Sequence, residues 1–300
     1  MNTSETHLLT DAELKLLQTL VYQECGMHFD DRRTPFLQDR LQRRLKECQM
    51  DSFYSYYRLL ISQHGKQELA CLLENLTVNE TSFFRNKAQL DLFQKDAMTE
   101  VLRRKQEHRD YNLRIWSAGC STGQEPYTLA MQVADALSYH QLRNPLPFES
   151  PFPKPLVPPP WRVEILASDI NYSVLRTAQQ GSYSEHQMTS VDYGYRMRYF
   201  DKVGDRYAVR KNVKELVHFD FHNLKTEYLP QRNDFIFCRN VMMYFDEAEQ
   251  KRLVEKFYRC LNPQGYLFVG HAESLLGLTD KFQMVHRNSG TAYQRIEVNP

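Results

Sequence analysis

Arg114-Ile-Trp-Ser-Ala-Gly-Cys-Ser-Thr-Gly-Gln-Glu-Pro-Tyr-Thr-Leu-Ala-Met131 decides the fold of this chain. It reads as a short buried strand, a glycine-bearing turn and a helix, the ligand-cradling corner of an α/β nucleotide-type fold. Gly119 and Gly123 lack a Cβ, so backbone there can approach a ligand closely. A complete G-x-G-x-x-G is missing, and no Lys-Ser/Thr pair follows to hold a triphosphate. An acid, Glu125, stands at the start of the helix instead. That is unsuited to gripping phosphate. It suits a ligand with hydroxyls and a positive charge, such as S-adenosylmethionine.

Outward from this turn, strands and helices alternate. Leu113–Ser117 is a strand followed by a helix over Tyr127–Ser138. Val163–Ala167 is a second strand that ends in Ser168-Asp169, and Ser173–Gln180 is a helix stopped at Gly181. Asp234–Cys238 is an apolar strand, Glu247–Leu261 a helix and Gly265–Val269 another strand. Two last strands, Phe282–Val285 and Ala292–Ile296, join through Asn288-Ser289-Gly290. The alternation predicts a mainly parallel sheet with helices on both faces, and the closing hairpin predicts an antiparallel edge. Two segments interrupt the rhythm. Residues 144–161 carry eight prolines and read as an extended loop. Tyr183–Phe221 holds short alternating runs, among them Arg206–Arg210 and Leu216–Phe219, and reads as an inserted antiparallel β-subdomain.

Before the α/β unit, residues 1–77 read as an all-helical domain, with 78–300 forming the larger one. Asp11 is placed to cap a first helix, and Thr34-Pro35 opens a second. Leu37, Leu41 and Leu45 recur every four residues and mark a buried stripe, while Arg40, Arg43, Arg44 and Lys46 lie off it. Further helices are expected over Ser52–Gln63, Gln67–Leu76 and Asn86–Gln106.

Bulk composition narrows the function. The chain has 300 residues, 42% of them hydrophobic and 25% charged, as in ordinary globular proteins. A net charge of +1 gives no global field for nucleic acid or a membrane surface. No apolar run reaches the ~20 residues of a membrane span, and Met1–His7 lacks the features of a secretory signal. The six cysteines are scattered without a C-x-x-C, so neither a metal site nor a disulfide framework is expected. A cytoplasmic monomer is the simplest expectation.

Three strand ends are chemically loaded: Gly119–Gly123 with Glu125, then Asp169, then Arg239-Asn240-Val241. A carboxylate after the second strand is what a ribose diol requires. Each residue also has a structural reading: Asp169 as a helix cap, Glu125 as a helix-dipole partner, Asn240 as a turn closer. Asn79-Glu-Thr-Ser-Phe-Phe-Arg85 mixes polar groups with two aromatic anchors, and Arg85 could clamp a carboxylate.

These residues together resemble the CheR-type chemotaxis receptor methyltransferases. The resemblance rests on Asn79–Arg85, Trp116–Tyr127, Ala167–Ile170, Phe237–Phe245 and Gly270-His-Ala-Glu-Ser274, and it covers nearly the whole chain. It implies a class I methyltransferase sheet with a helical N-terminal domain and a small β-subdomain. It implies S-adenosylmethionine as donor, S-adenosylhomocysteine as product, and chemoreceptor cytoplasmic helices as partners, methylated on glutamate carboxylates. By resemblance, Asn79, Thr81, Arg85, Gly119, Glu125, Asp169, Asn223, Leu224, Asn240 and Val241 belong to the cofactor site. Arg85 and Tyr244 would lie at the reacting centre, and the Arg40, Arg43, Arg44 face would dock the acidic receptor helix. Gln124 departs from the pattern, standing where many members carry a second acid. Other readings are a class I methyltransferase with a different acceptor, or a non-catalytic module that binds donor or product.

Overall fold

A computed structural model describes residues 9–143, 155–228 and 230–297. The proline-rich stretch therefore lies outside the described residues as far as residue 154. Four helices open the chain: α1 Asp11–Cys25, α2 Thr34–Glu47, α3 Phe53–Leu60 and α4 Lys66–Leu76. They enclose their own apolar cluster around Leu17, Val21, Leu37, Leu41, Tyr56 and Leu72. The four-residue leucine spacing of α2 is the physical origin of that packing, since it puts Leu37, Leu41 and Leu45 on one buried stripe. Thr10, not Asp11, caps α1. Its hydroxyl accepts the Glu13 N–H while the Glu13 carboxylate accepts the Thr10 N–H, a reciprocal pair that Asp11 could not complete.

The Arg40, Arg43, Arg44 face needs a correction at Arg44. Its guanidinium turns into the bundle, where Nε donates to Glu68 Oε1 at 2.8 Å, and it also pairs with Glu47. Tyr56 Oη donates to the same Glu68 oxygen at 2.7 Å. Period alone placed Arg44 outside the leucine stripe, but the acid of α4 draws it inward. Burial by itself would raise the Glu68 carboxyl, yet hydrogen bonds from Arg44 and Tyr56 outweigh it and hold that carboxyl below the usual glutamate range. Because the folded value is depressed, the stabilisation is present above the ordinary glutamate value, about 4.3. It is lost as pH falls through the lower folded value. Glu68→Gln is expected to lower the melting temperature at pH 7 and to match the parent protein increasingly as pH drops below 4. Parallel pH-dependent melts check this, and a gap that persists at low pH would refute it.

A nearly continuous helical rod follows, formed by α5 Lys87–Asp91, a π-helical stretch Leu92–Ala97 and α6 Met98–Glu107. The wide turn seats Phe93 edge-on to Phe235 and Phe237, each at 5.0 Å between centroids. The α/β unit then runs through β1 Asn112–Ala118, α7 Gln124–Arg143, β2 Arg162–Asp169 and α8 Tyr172–Gln180. It continues with β3 Ser182–Ser184, α9 Tyr193–Tyr199, β4 Phe200–Val203, β5 Arg206–Val209, α10 Lys211–Lys214 and β6 Val217–Phe221. The last elements are β7 Asn233–Cys238, α11 Glu247–Cys260, β8 Leu261–Val269, β9 Phe282–Arg287 and β10 Gly290–Arg295.

Seven strands form one sheet in the order β6-β2-β1-β7-β8-β10-β9. The first five run parallel, and β10 lies antiparallel to both its neighbours. The expected antiparallel edge is therefore present, with the last strand slotted between β8 and β9. The inserted subdomain is smaller than expected. Its antiparallel sheet is β3-β5-β4 alone. Val217–Phe221 instead pairs in parallel with β2, Ile165 opposite Val217, and forms the edge of the main sheet. An alternating run records which face is buried and carries no information about which sheet it joins. After β6 the chain crosses back over β2 and β1 to lay down β7. This reversal opens a crevice at the carboxyl ends of β1, β2 and β7.

Candidate functional site

The crevice is a cavity of about 890 Å³, its open mouth included. It is lined by Asn79, Thr81, Arg85, Gly119, Glu125, Asp169, Asn223, Leu224, Asn240, Val241 and Tyr244, among others. The sequence-derived cofactor and reacting-centre residues thus meet in one place, although they come from segments up to 165 positions apart (79 to 244). Arg40, Arg43 and Arg44 do not line it.

The β1 turn makes one wall. Gly119 has φ +87°, and its N–H and that of Cys120 both donate to the Ser168 carbonyl, at 2.8 and 2.9 Å. A Cβ on Gly119 would meet Val241 Cγ2 at 2.5 Å, so the two walls touch where glycine alone fits. Asp169, at the end of β2, is buried and takes backbone N–H groups from Ser121 (2.9 Å) and Asn171 (3.0 Å). Burial pushes its carboxyl up, and those N–H groups partly oppose the rise. Asn171 caps α8 through its own side chain, so Asp169 is not that helix's cap.

Glu125 reaches the cavity, but its charge is already matched. Oε1 accepts the Ser117 hydroxyl at 2.7 Å and Oε2 accepts Arg239 Nε at 2.7 Å. The cation that this acid serves is the protein's own Arg239, which revises the expectation of an acid held ready for a cationic ligand. Arg239 Nη1 goes on to donate to the Arg85 carbonyl (2.8 Å) and to Gln89 Oε1 (3.2 Å). Gln89 Nε2 ties this network to Val269 and Thr291 carbonyls, each at 2.9 Å. One buried chain of bonds therefore joins β1, β7, β8, β10 and the Asn79–Arg85 segment.

The third wall follows β7. Asn240 has φ +61°, and its turn is held by Glu273, which accepts N–H groups from Asn240 (2.9 Å), Met243 (3.1 Å) and Gly270 (2.6 Å). Tyr244 stands at the end of this turn, with its carbonyl accepting the His28 N–H at 2.9 Å. Burial raises the Tyr244 phenol above its ordinary value, so it stays protonated at neutral pH. Met27 bridges to Phe245, which brings the helical segment against the same wall.

The Asn79–Arg85 segment is anchored by its aromatic pair. Phe83 is edge-on to Tyr183 at 4.8 Å and to Phe200 at 5.4 Å, and Phe84 packs on Tyr195 at 4.7 Å. The Asn79 carbonyl accepts the Ser121 hydroxyl at 2.9 Å, and Arg85 Nη1 donates to the Glu80 carbonyl at 2.8 Å. Asn223 lines the cavity, but its amide donates to the Glu24 carbonyl at 2.7 Å and thereby ties the β6 exit to α1. Lys256 Nζ clamps the same turn through the Lys225 (2.9 Å) and Thr226 (3.0 Å) carbonyls.

Sequence reasoning missed Arg239 as a site residue, along with Gln89, Lys256, Glu273 and His222. Arg239 and Glu273 sat within quoted motifs, as a cation at a strand end and an acid among small residues. Gln89 and Lys256 gave no signal, because they lie mid-helix. His222 also lines the cavity. Burial keeps its imidazole below the ordinary histidine value, and its ring is edge-on to Trp116 at 5.6 Å.

The cavity suits a nucleoside-sized ligand in volume and in chemistry. A carboxylate lies at the end of the second strand, a Cβ-free wall stands opposite, and Leu224 and Val241 supply apolar cover. Among the described residues, no helix is long and apolar enough to cross a membrane.

Residues 79–144 and 157–291 match the family model of the CheR methyltransferase SAM binding domain. Residues 12–77 match that of the CheR methyltransferase all-alpha domain. The chain is 30% identical over 285 residues to a chemotaxis protein methyltransferase of Borreliella burgdorferi, covering 92% of this chain and 95% of that one. It is 31% identical over 293 residues to chemotaxis protein methyltransferase 2 of Vibrio cholerae, with 96% and 94% covered. To the chemotaxis protein methyltransferase of Escherichia coli it is 32% identical over 287 residues, with 94% and 91% covered.

Proposed function

The chain belongs to the CheR methyltransferase family, whose members bind S-adenosylmethionine, and from that premise we propose that it methylates glutamate side-chain carboxylates of chemoreceptors. When bound, S-adenosylmethionine supplies a methyl activated by its sulfonium: a carboxylate oxygen takes the methyl, the S–C bonding pair stays on sulfur, and a γ-methyl ester and S-adenosylhomocysteine result.

One observation carries the carboxylate assignment. The two side chains set at the reacting centre, the protonated Tyr244 phenol and the Arg85 guanidinium, are hydrogen-bond donors, suited to orienting an anionic oxygen rather than to the removal of a proton. An amine or alcohol acceptor needs that removal, whereas a glutamate arrives ionised at neutral pH. The remaining work is positioning and exclusion of water. Asp169 would hold the ribose diol, and Asn223-Leu224 and Asn240-Val241 would line the adenosine and methionine portions. Asn79, Thr81 and Arg85 would close the site from the helical side. Glu125 acts by holding Arg239, and through it the Arg85 backbone.

Labelled methyl donor, a panel of receptor cytoplasmic fragments and alkaline treatment test this reading. The expected product releases volatile methanol in base, and an alkali-stable product defeats it. For docking, Arg40 and Arg43 remain on the outer side of α2, with Arg40 packed over the Phe36 ring at 4.9 Å and Arg43 paired to Asp39. Reversing both to Glu should raise KM for the fragment and leave S-adenosylhomocysteine affinity unchanged; an unaltered KM removes the docking role. We further propose a cytoplasmic monomer, which light scattering on the purified protein tests for mass.

A further inference from the structure

Arg33 is a basic residue that stands at a helix start without local electrostatic compensation. It occupies the N-cap position of α2, where the helix dipole disfavours a cation, and neither a side-chain cap nor an acid in the first turn offsets this. Its guanidinium lies over two rings, 5.0 Å from the Phe29 centroid and 4.8 Å from that of Tyr244. Nη1 donates to the His28 carbonyl at 3.0 Å. Asp30 is near, but its carboxylate accepts the Arg33 backbone N–H at 3.0 Å, and among the described residues no carboxylate makes an ion pair with this guanidinium. The Glu125–Arg239 pair in the cavity wall is charge-matched, whereas Arg33 stands beside the lining residue Tyr244 with no such partner among the described residues. Local rules broken without local compensation mark functional positions.

We propose that Arg33 is a specificity-determining residue that recognises the charge of the acceptor carboxylate beside Tyr244, so that the enzyme distinguishes glutamate from glutamine on the receptor helix. The inference rests on the carboxyl-methylation reading. A guanidinium over two aromatic rings is partly desolvated and held in place, and among the described residues no carboxylate claims its N–H groups. It comes from the helical segment, whereas Arg85 comes from the linker. Acceptor and cofactor would thus be gripped by different cations. Methyl transfer neutralises the carboxylate, so the Arg33 grip is stronger on the ground state than on the transition state, and its loss raises KM without lowering kcat.

The test uses the full chain with a receptor cytoplasmic fragment, and a second fragment whose acceptor glutamates are replaced by glutamine as a competitor. Arg33→Met is expected to raise KM for the glutamate fragment about ten- to a hundredfold, as for loss of a hydrogen bond to a charged group. The kcat should stay at or above the parent value, and the S-adenosylhomocysteine affinity by calorimetry should stay near that of the parent. Affinities for the two fragments should converge, and Arg33→Lys should recover part of the discrimination. An unchanged KM in Arg33→Met overturns the proposal. So does a fall in S-adenosylhomocysteine affinity and melting temperature that lysine fails to rescue, because it would mean that Arg33 merely props Tyr244. The parent protein is assayed first. If its product is alkali-stable, the carboxyl reading fails and takes this inference with it; if the product is alkali-labile and Arg33→Met behaves as the parent, only the Arg33 assignment fails.

Discussion

Arg239→Met is expected to unfold the protein more readily than any other single change at the site. The substitution keeps the apolar stem but leaves the Glu125 carboxylate, about one-tenth exposed, with only the Ser117 hydroxyl as partner. Removing one member of a buried ion pair typically costs about 3–5 kcal/mol, because the remaining charge is uncompensated. The Arg85 carbonyl and Gln89 lose a donor in the same step. Melting temperature should fall by on the order of 10 °C, and S-adenosylhomocysteine should restore little of it, since the wall carrying Arg85 is no longer tied to β7. The double variant Glu125→Gln, Arg239→Met removes both charges and should regain much of the stability without regaining affinity. Calorimetric melts with and without product check both statements. A single variant that melts with the parent protein would show that the pair is not structural.

Gly119→Ala should have the largest effect on cofactor affinity for the smallest change in the chain. At φ +87° an L-residue pays a conformational penalty of about 1–2 kcal/mol. The added methyl would also stand 2.5 Å from Val241 Cγ2, far inside contact distance, so the two cavity walls must part. Affinity for S-adenosylhomocysteine is expected to drop at least about tenfold, the equivalent of 1.4 kcal/mol. Combining it with Val241→Ala relieves the clash but not the backbone strain, so recovery should be partial. Titration calorimetry decides the matter. Unaltered affinity in Gly119→Ala would mean that this close approach does not shape the cofactor site.

Burial pushes the Asp169 carboxyl up while its N–H partners hold it ready, and the position was legible from the chain: an acid directly after a strand of apolar residues. The same holds for the Gly119 turn and for the β1, β2 and β7 strands. Their apolar runs and turn residues are local signals, and each element needs only its own few residues to be recognised. The helical segment was legible for the same reason, since the spacing of Leu37, Leu41 and Leu45 encodes a buried stripe.

Tertiary structure alone decided what those elements meet. The run Val217–Phe221 alternates like a strand of the small sheet, yet its partner is β2. Arg44 sits off the apolar stripe by period, yet Glu68 on a neighbouring helix turns it inward. Glu125 stands where a ligand-facing acid would, yet Arg239, 114 positions later, satisfies it. Arg33 carries no local reason for its place at a helix start, and acquires one from the Tyr244 ring. Periodicity and turn chemistry are properties of neighbouring residues, so they determined the elements, the corner that cradles the ligand and the family resemblance. The pairing of a charge with its partner depends on which distant segments share a low-dielectric interior, and only the folded chain brings those segments together.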